Sequence, residues 1–184
     1  MADEVVLPVN DNERMMLIGI IGHRYISDIN ATAFVTEQCT SILEQAQNTY
    51  PELVALSAIA EGADSIFAEA ALTLGIPLEV VRPYQTYTSD FTTIPARHRY
   101  DRLRKEARNE TTLDFAARSD EAYEAAMRWI VTRSDLLVVA WDGRSTNGPG
   151  GTGHAVSQAI QINRSWIHLN VVDLSVTHYI TTTI

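Results

Sequence analysis

The sequence predicts an α/β fold: a doubly wound, mainly parallel sheet with helices on both faces, in a single domain. Three observations carry this. Met16 to Ile21, Leu53 to Ser57 and Leu136 to Trp141 are continuous apolar runs of strand length, the pattern of strands buried on both faces of a parallel sheet. The interval from the first run to the second holds a helical stripe and is long enough for a right-handed βαβ crossover. Each of the three runs also ends in a polar turn that precedes a helix-like pattern.

Taken in order, residues 1–13 are polar and aperiodic and form a lead-in, residues 14–170 the folded domain, and residues 171–184 a tail. The first strand stops at Gly22-His23-Arg24. Ser27 or Asp28 caps the next helix, where Val35, Cys39, Ile42 and Ala46 recur at spacings of four, three and four. The second strand ends in Ala60-Glu61-Gly62-Ala63-Asp64. Phe67, Ala70, Ala71 and Leu74 then give a second apolar helix face, closed by Gly75. Pro77 to Val81 is a short third strand.

Tyr84 to Pro95 has no period, and a loop of this length is more often functional than a simple connector. Arg97 to Arg108 is helix-like, and Ser119 to Arg133 is a helix with Tyr123, Met127 and Ile130 on one side. The strand from Leu136 ends at Asp142-Gly143. Gly148-Pro149-Gly150-Gly151-Thr152-Gly153-His154 follows and opens into a helix through Ala155, Val156, Ala159 and Ile160. Trp166 to Asn170 is a last strand. The tail is rich in β-formers without a clear period, which fits an edge strand or a surface packed on a partner.

Bulk properties narrow the function classes. With 46% hydrophobic and 20% charged residues the chain is of ordinary globular composition. A formal net charge of −9 argues against a general nucleic-acid binder, which attracts a polyanion through excess Lys and Arg. Cys39 is the only cysteine, which excludes an intrachain disulfide and suits a reducing compartment. The acidic N-terminus lacks the pattern of a signal peptide and no apolar run spans a membrane, so the expected protein is cytoplasmic and soluble, without membrane contact.

The functional expectation rests on geometry. A strand, then a glycine turn, then a helix builds an anion site, because backbone N–H groups and the positive helix end converge on one point. In a parallel sheet all three polar turns lie on one rim, where such folds bind ligands. Gly150, Gly151, Thr152 and Gly153 then form a phosphate cradle, against the plainer reading of a flexible connector. Arg24 offers a guanidinium to a phosphate or a surface ion pair. Glu61 accepts from a ribose hydroxyl or serves as a lone general acid or base, and Asp64 caps the second helix. Asp142 and Gly143 bind ribose or form a structural turn, and Trp141 stacks on a base or packs in the core. His23 and His154 donate to phosphate oxygens. No metal set is recognisable, and no cofactor is expected. Tyr84, Tyr87 and Arg97 are candidates for a lid, whereas the arginine-rich segment as a whole reads by default as a solvated helix with internal ion pairs.

Gly-His-Arg after the first strand, Ala-Glu-Gly-Ala-Asp before the second helix, Asp90-Phe91 after a tyrosine-rich loop, and Trp-Asp-Gly followed by Gly-Pro-Gly-Gly-Thr together resemble the SLOG superfamily. These are Rossmann-like nucleotide-binding domains related to the lonely-guy phosphoribohydrolases and the DNA-processing protein A family. The resemblance covers roughly Met16 to Asn170. It implies binding of a nucleotide or an ADP-ribose-like, even cyclic, derivative, as a sensor or sequestering module in bacterial stress or antiviral signalling. It also implies a homo-oligomer.

The chain departs from the hydrolytic members of that group. Their helix glutamates are replaced by His154-Ala155-Val156-Ser157, and the preceding arginine and glutamate fall on Ala126 and Trp129. Deoxyribosyltransferase-like folds, which also resemble this stretch, place a glutamate nucleophile about where Ala155 stands. The expectation is therefore a binding module rather than an enzyme. The alternative is an N-glycosidic hydrolase in which Glu61 or Asp142 substitutes for the missing acids.

Overall fold

Met16–Gly22 forms β1 at the centre of the sheet. The computed structural model describes residues 6–8, 15–144 and 151–181. After β1 come α1 (Ile29–Thr49), β2 (Leu53–Ser57), α2 (Ala63–Thr73) and β3 (Leu78–Arg82). A 3₁₀ turn over Tyr87–Asp90 leads to α3 (Ile94–Glu106), β4 (Asn109–Thr112) and α4 (Asp120–Arg133). The chain continues through β5 (Leu136–Trp141), α5 (Thr152–Gln161), β6 (Ser165–Asn170) and β7 (Ser175–Tyr179).

The strands form one sheet in the order β4-β3-β2-β1-β5-β6-β7, parallel except for β7, which runs antiparallel to β6. The first four strands build outward to one side of β1, and the chain then returns through α4 to place β5 on its other side. Strand order thus reverses between β1 and β5, which opens a crevice at their carboxyl ends.

Alternation along the central strands explains why both faces need cover. On β5, Leu136, Val138 and Ala140 join the core beneath α1 and α2, with Val35, Ile42 and Phe67. Leu137 and Val139 point the other way, into a second core with Met127, Ile130 and Val131 of α4 and Ala155, Val156 and Ala159 of α5. Local signals set the helix starts. The Asp28 carboxylate accepts from Asn30 N and Ala31 N at 2.7 and 2.9 Å, the Thr93 hydroxyl from Ala96 N, and the Ser119 hydroxyl from Ala122 N.

One segment differs from the sequence reading, and another takes one of the two forms expected of it. β4 was not expected; its polar Asn-Glu-Thr-Thr run pairs with β3 at the sheet edge, where one strand partner suffices. The tail contributes β7, on which Tyr179 stacks against Trp166 with ring centroids 4.0 Å apart and planes 9° from parallel. No described helix is long and apolar enough to cross a membrane.

Candidate functional site

The turns after β1 and β2 are pressed together at the carboxyl rim. Ala63 N donates to His23 O at 3.1 Å. Gly62, at φ +80°, is the N-cap of α2; a Cβ on it would stand 2.4 Å from His23 O and 2.5 Å from Arg24 O. A Cβ on Gly22 would stand 2.5 Å from the Ala63 Cβ. Both glycines are explained by this close approach of two turns, whatever binds nearby.

Beside this junction, where strand order reverses, lies a cavity of about 410 Å³. Gly22, His23 and Arg24 of the β1 turn line it, together with Asp64 of α2 and Gly151 and Thr152 at the start of α5. Ile21, Ala58, Met127 and Ile130 supply an apolar wall, and Tyr87, Arg118 and Tyr123 complete it. The first N–H groups of α5 have no intrahelical acceptor, and the positive end of the helix lies at the cavity.

A buried hub holds Arg24. The Asp90 side chain, 2% exposed, accepts from Arg24 Nη2 at 2.9 Å and from the hydroxyls of Tyr84 and Tyr123. Burial by itself would raise the Asp90 pKa, but these donors, Tyr123 first, keep it below the ordinary carboxylate value. Burial lowers the Arg24 pKa, and the bond to Asp90 more than offsets this, so Arg24 stays charged.

This hub corrects the lid expectation for the tyrosines. Tyr84 and Tyr87 are fully buried, and ring contacts join Tyr84 to Tyr87 and Tyr87 to Phe91 and Tyr100. The Tyr84–Pro95 segment lacks a period because its aromatic rings pack inward around one carboxylate, and Tyr87 is wall rather than flap. Arg97 is exposed, turns back to donate to Phe91 O at 3.3 Å, and is not among the cavity's lining residues.

Neither acid of the β2–α2 turn takes the role that sequence suggests. Gly62, not Asp64, is the cap of α2, and no side chain caps that helix. Asp64 is 7% exposed and lines the cavity, and burial pushes its carboxyl up to about 7 against weaker opposition from the Ala60 backbone and Arg24. Glu61 and Gly62 open instead onto a lateral groove of about 760 Å³ between α1, α2 and α3, which Arg24 also borders.

This predicts an unusual pH dependence of stability. Asp64 binds its proton more tightly folded than unfolded, so the native state loses stability as pH rises from about 4 through 7. A pKa raised from 3.8 to about 7 is worth about 4 kcal/mol in full. Asp64→Asn is therefore expected to be more stable than the parent at pH 8 and nearly equal to it at pH 4, as read by urea denaturation. An equal effect at both pH values would contradict a raised Asp64 pKa.

The remaining predicted residues are dispersed. Asp142 accepts from Arg144 N at 3.0 Å, its own N–H donates to His23 Nε2 at 3.2 Å, and Gly143 turns at φ +79°. Burial would raise the Asp142 pKa, but the Arg144 N–H and His23 hold it down. Trp141 packs in the α4–α5 core, 5.6 Å from the His168 ring, outside the cavity lining. Gly153 and His154 are half-buried in the first turn of α5 and do not line the cavity. Gly150 lies outside the described residues.

Sequence reasoning missed Arg118. It stands on the loop between β4 and α4, where no motif marks it, with its guanidinium 5.7 Å from the centroid of the Tyr123 ring and no carboxylate partner among the described residues. Arg24 approaches the same ring at 5.8 Å. The cavity thus joins an apolar wall, a helix N-terminus and a cation without a carboxylate partner among the described residues, an arrangement suited to an anion with an apolar or planar portion.

No family model and no curated protein sequence matches the chain. Among solved structures it is similar to DNA processing protein A from Streptococcus pneumoniae, with a TM-score of 0.60 and 16% identity over 85% of this chain and 50% of that one. It is also similar to DNA processing protein A from Helicobacter pylori, at 0.56 and 17% over 83% and 64%. A third likeness is to the molybdenum cofactor carrier protein of Chlamydomonas reinhardtii, at 0.52 and 16% over 85% and 78%. The chain spans only half to about two thirds of the two DNA processing proteins. The Helicobacter structure is described as a single-stranded DNA binding mode, and this overturns the exclusion of nucleic acid drawn from net charge. Net charge averages over the whole surface, whereas a strand responds to the local field, and six of the fourteen basic residues lie between Arg97 and Arg108. At these identities the likeness establishes architecture alone, and that architecture is a Rossmann-like α/β fold.

Proposed function

We propose that this chain binds a nucleotide or a nucleotide-derived molecule such as ADP-ribose in the cavity at the carboxyl ends of β1 and β2, as a sensor or sequestering module in signalling. The observation that supports this reading most is the cavity itself. About 410 Å³ at the reversal of strand order is bordered by Gly151 and Thr152 at the start of α5 and by Arg118, with an apolar wall opposite. That volume falls within the range of small-molecule sites. The phosphate portion faces the α5 N-terminus and Arg118, and the base or sugar lies against Ile21, Met127 and Ile130. The hydrolytic alternative has less support, because Glu61 opens onto the lateral groove and Asp142 is engaged by Arg144 and His23.

A thermal-shift panel of nucleotides, ADP-ribose derivatives and a short oligothymidylate tests the reading. A ligand at a hundred times its dissociation constant is expected to stabilise the fold by about 2.7 kcal/mol. Gly151→Asp places a carboxylate at the anion end and is expected to abolish the response. Arg118→Ala is expected to weaken binding about tenfold while lowering the stability of the free protein by no more than about 1 kcal/mol, since Arg118 forms no ion pair with a described residue and loses only its contact with the Tyr123 ring. No shift with any compound contradicts the proposal, and a shift with the oligonucleotide alone reassigns the site to a strand.

A further inference from the structure

We propose that Asp64 meets the bound anion as a neutral acid, so that anion uptake by the strand-end cavity is coupled to protonation of Asp64. The inference rests on the anion site proposed above and adds a binding residue and a proton to it.

Charged and ionisable groups from several elements share the cavity lining with Asp64. From the β1 turn come Arg24 and His23, from the 3₁₀ turn Tyr87, from α4 Tyr123, and from the β4–α4 loop Arg118. Arg24 is already matched by Asp90 at 2.9 Å. His23 Nε2 lies 3.2 Å from Asp142 N and 3.4 Å from Asp142 Oδ1, so this ring is engaged by Asp142. Arg118 is therefore the lining cation without a carboxylate partner among the described residues. If Asp64 is ionised it offsets positive charge in the lining, and an entering anion meets a carboxylate on the cavity wall, where like charges repel.

Protonation reverses both problems. The lining gains a net positive charge, and Asp64 acquires an O–H that donates to an anion oxygen. Asp64 is only 7% exposed, so its carboxyl has little open solvent to turn into. Nor is its position needed to cap α2, since Gly62 occupies the cap and no side chain bonds there. Burial already brings this carboxyl to about 7, so little free energy is needed to complete its protonation near neutral pH. No covalent bond changes. One proton passes from solvent to Asp64 for each anion bound when the free site is ionised.

Sulfate separates this effect from titration of the ligand, because it remains a dianion between pH 6 and pH 8 and only accepts hydrogen bonds. Sulfate binding to the full chain, followed by amide chemical shifts, is expected to weaken about tenfold from pH 6 to pH 8, the fall in the fraction of protonated site. Asp64→Asn is expected to bind sulfate with nearly the same affinity at both pH values. A flat profile in the parent protein, or an unchanged slope in Asp64→Asn, overturns the inference. Failure of sulfate to bind at pH 6 also overturns it; the nucleotide site then stands if the thermal-shift panel gives a stabilising compound, and both fail if it does not.

Discussion

Asp90→Ala is expected to lower the stability of the fold by about 3–5 kcal/mol, the range for removing one partner of a buried ion pair. Its carboxylate is nearly inaccessible and accepts from Arg24, Tyr84 and Tyr123. Truncation leaves the Arg24 guanidinium without its counter-ion and two tyrosine hydroxyls without their acceptor, beneath a packed group of aromatic rings. For a chain of this size the loss corresponds to a fall in Tm of about 10 °C or more. Asp90→Asn keeps the shape and one acceptor oxygen, so a smaller loss is expected. Urea denaturation followed by circular dichroism measures both. A loss below about 1 kcal/mol for Asp90→Ala would show that the hub is not a stability element.

The same carboxylate has a pH signature opposite to that of Asp64. The Asp90 pKa is depressed in the fold, so its contribution is present above the ordinary carboxylate pKa and is lost as pH falls through the lower folded value. Asp64 costs stability as pH rises through about 7. The wild-type protein is thus weakened from the acid side by Asp90 and from the alkaline side by Asp64.

Gly62→Ala is expected to cost about 3 kcal/mol or more. Two penalties combine at this position. The residue is at φ +80°, where a side chain strains the backbone, and the added methyl carbon meets two backbone carbonyls of the β1 turn at 2.4 and 2.5 Å. Backbone atoms anchored by β1 cannot move aside as a flexible side chain can. Gly75→Ala is the matched control: Gly75 has φ +71° with nothing within 4 Å, so only the backbone penalty applies, about 1 kcal/mol. Similar losses at the two sites would mean that the turns after β1 and β2 are not in rigid contact. Because the clash pushes on His23 and Arg24, Gly62→Ala is also expected to blunt any nucleotide response.

What could be read from the chain was what periodicity encodes. The runs Met16–Ile21 and Leu136–Trp141 are buried on both faces, and Val35, Cys39, Ile42 and Ala46 form the inner stripe of α1 as their spacing required. The Asp28 and Ser119 caps follow from residue type. β4 escaped notice because Asn-Glu-Thr-Thr carries no apolar pattern; cross-strand polar contacts hold it, with Arg82 donating to Glu110 at 3.2 Å and Arg104 pairing with the same carboxylate. The tyrosine-rich segment was misjudged for a related reason, since tyrosines that bury their rings and share an acid look like a polar loop when only hydropathy is counted. Choosing between Glu61 and Asp64 depends on the rotation of α2 about its axis at the first turn, and three residues of separation do not reveal which acid turns inward. Arg118 lies in a segment with no motif, and only the return of the chain from β4 to α4 brings it to the cavity.

Backbone and arginine side-chain NMR with the nucleotide that stabilises the protein most tests the central claim directly. Chemical-shift changes are expected to concentrate at the amides of Gly151 and Thr152, at the Arg118 guanidinium and at Asp64. Changes concentrated instead along Thr32, Thr36, Glu69 and Arg99 of the lateral groove, with the strand-end cavity undisturbed, would contradict it.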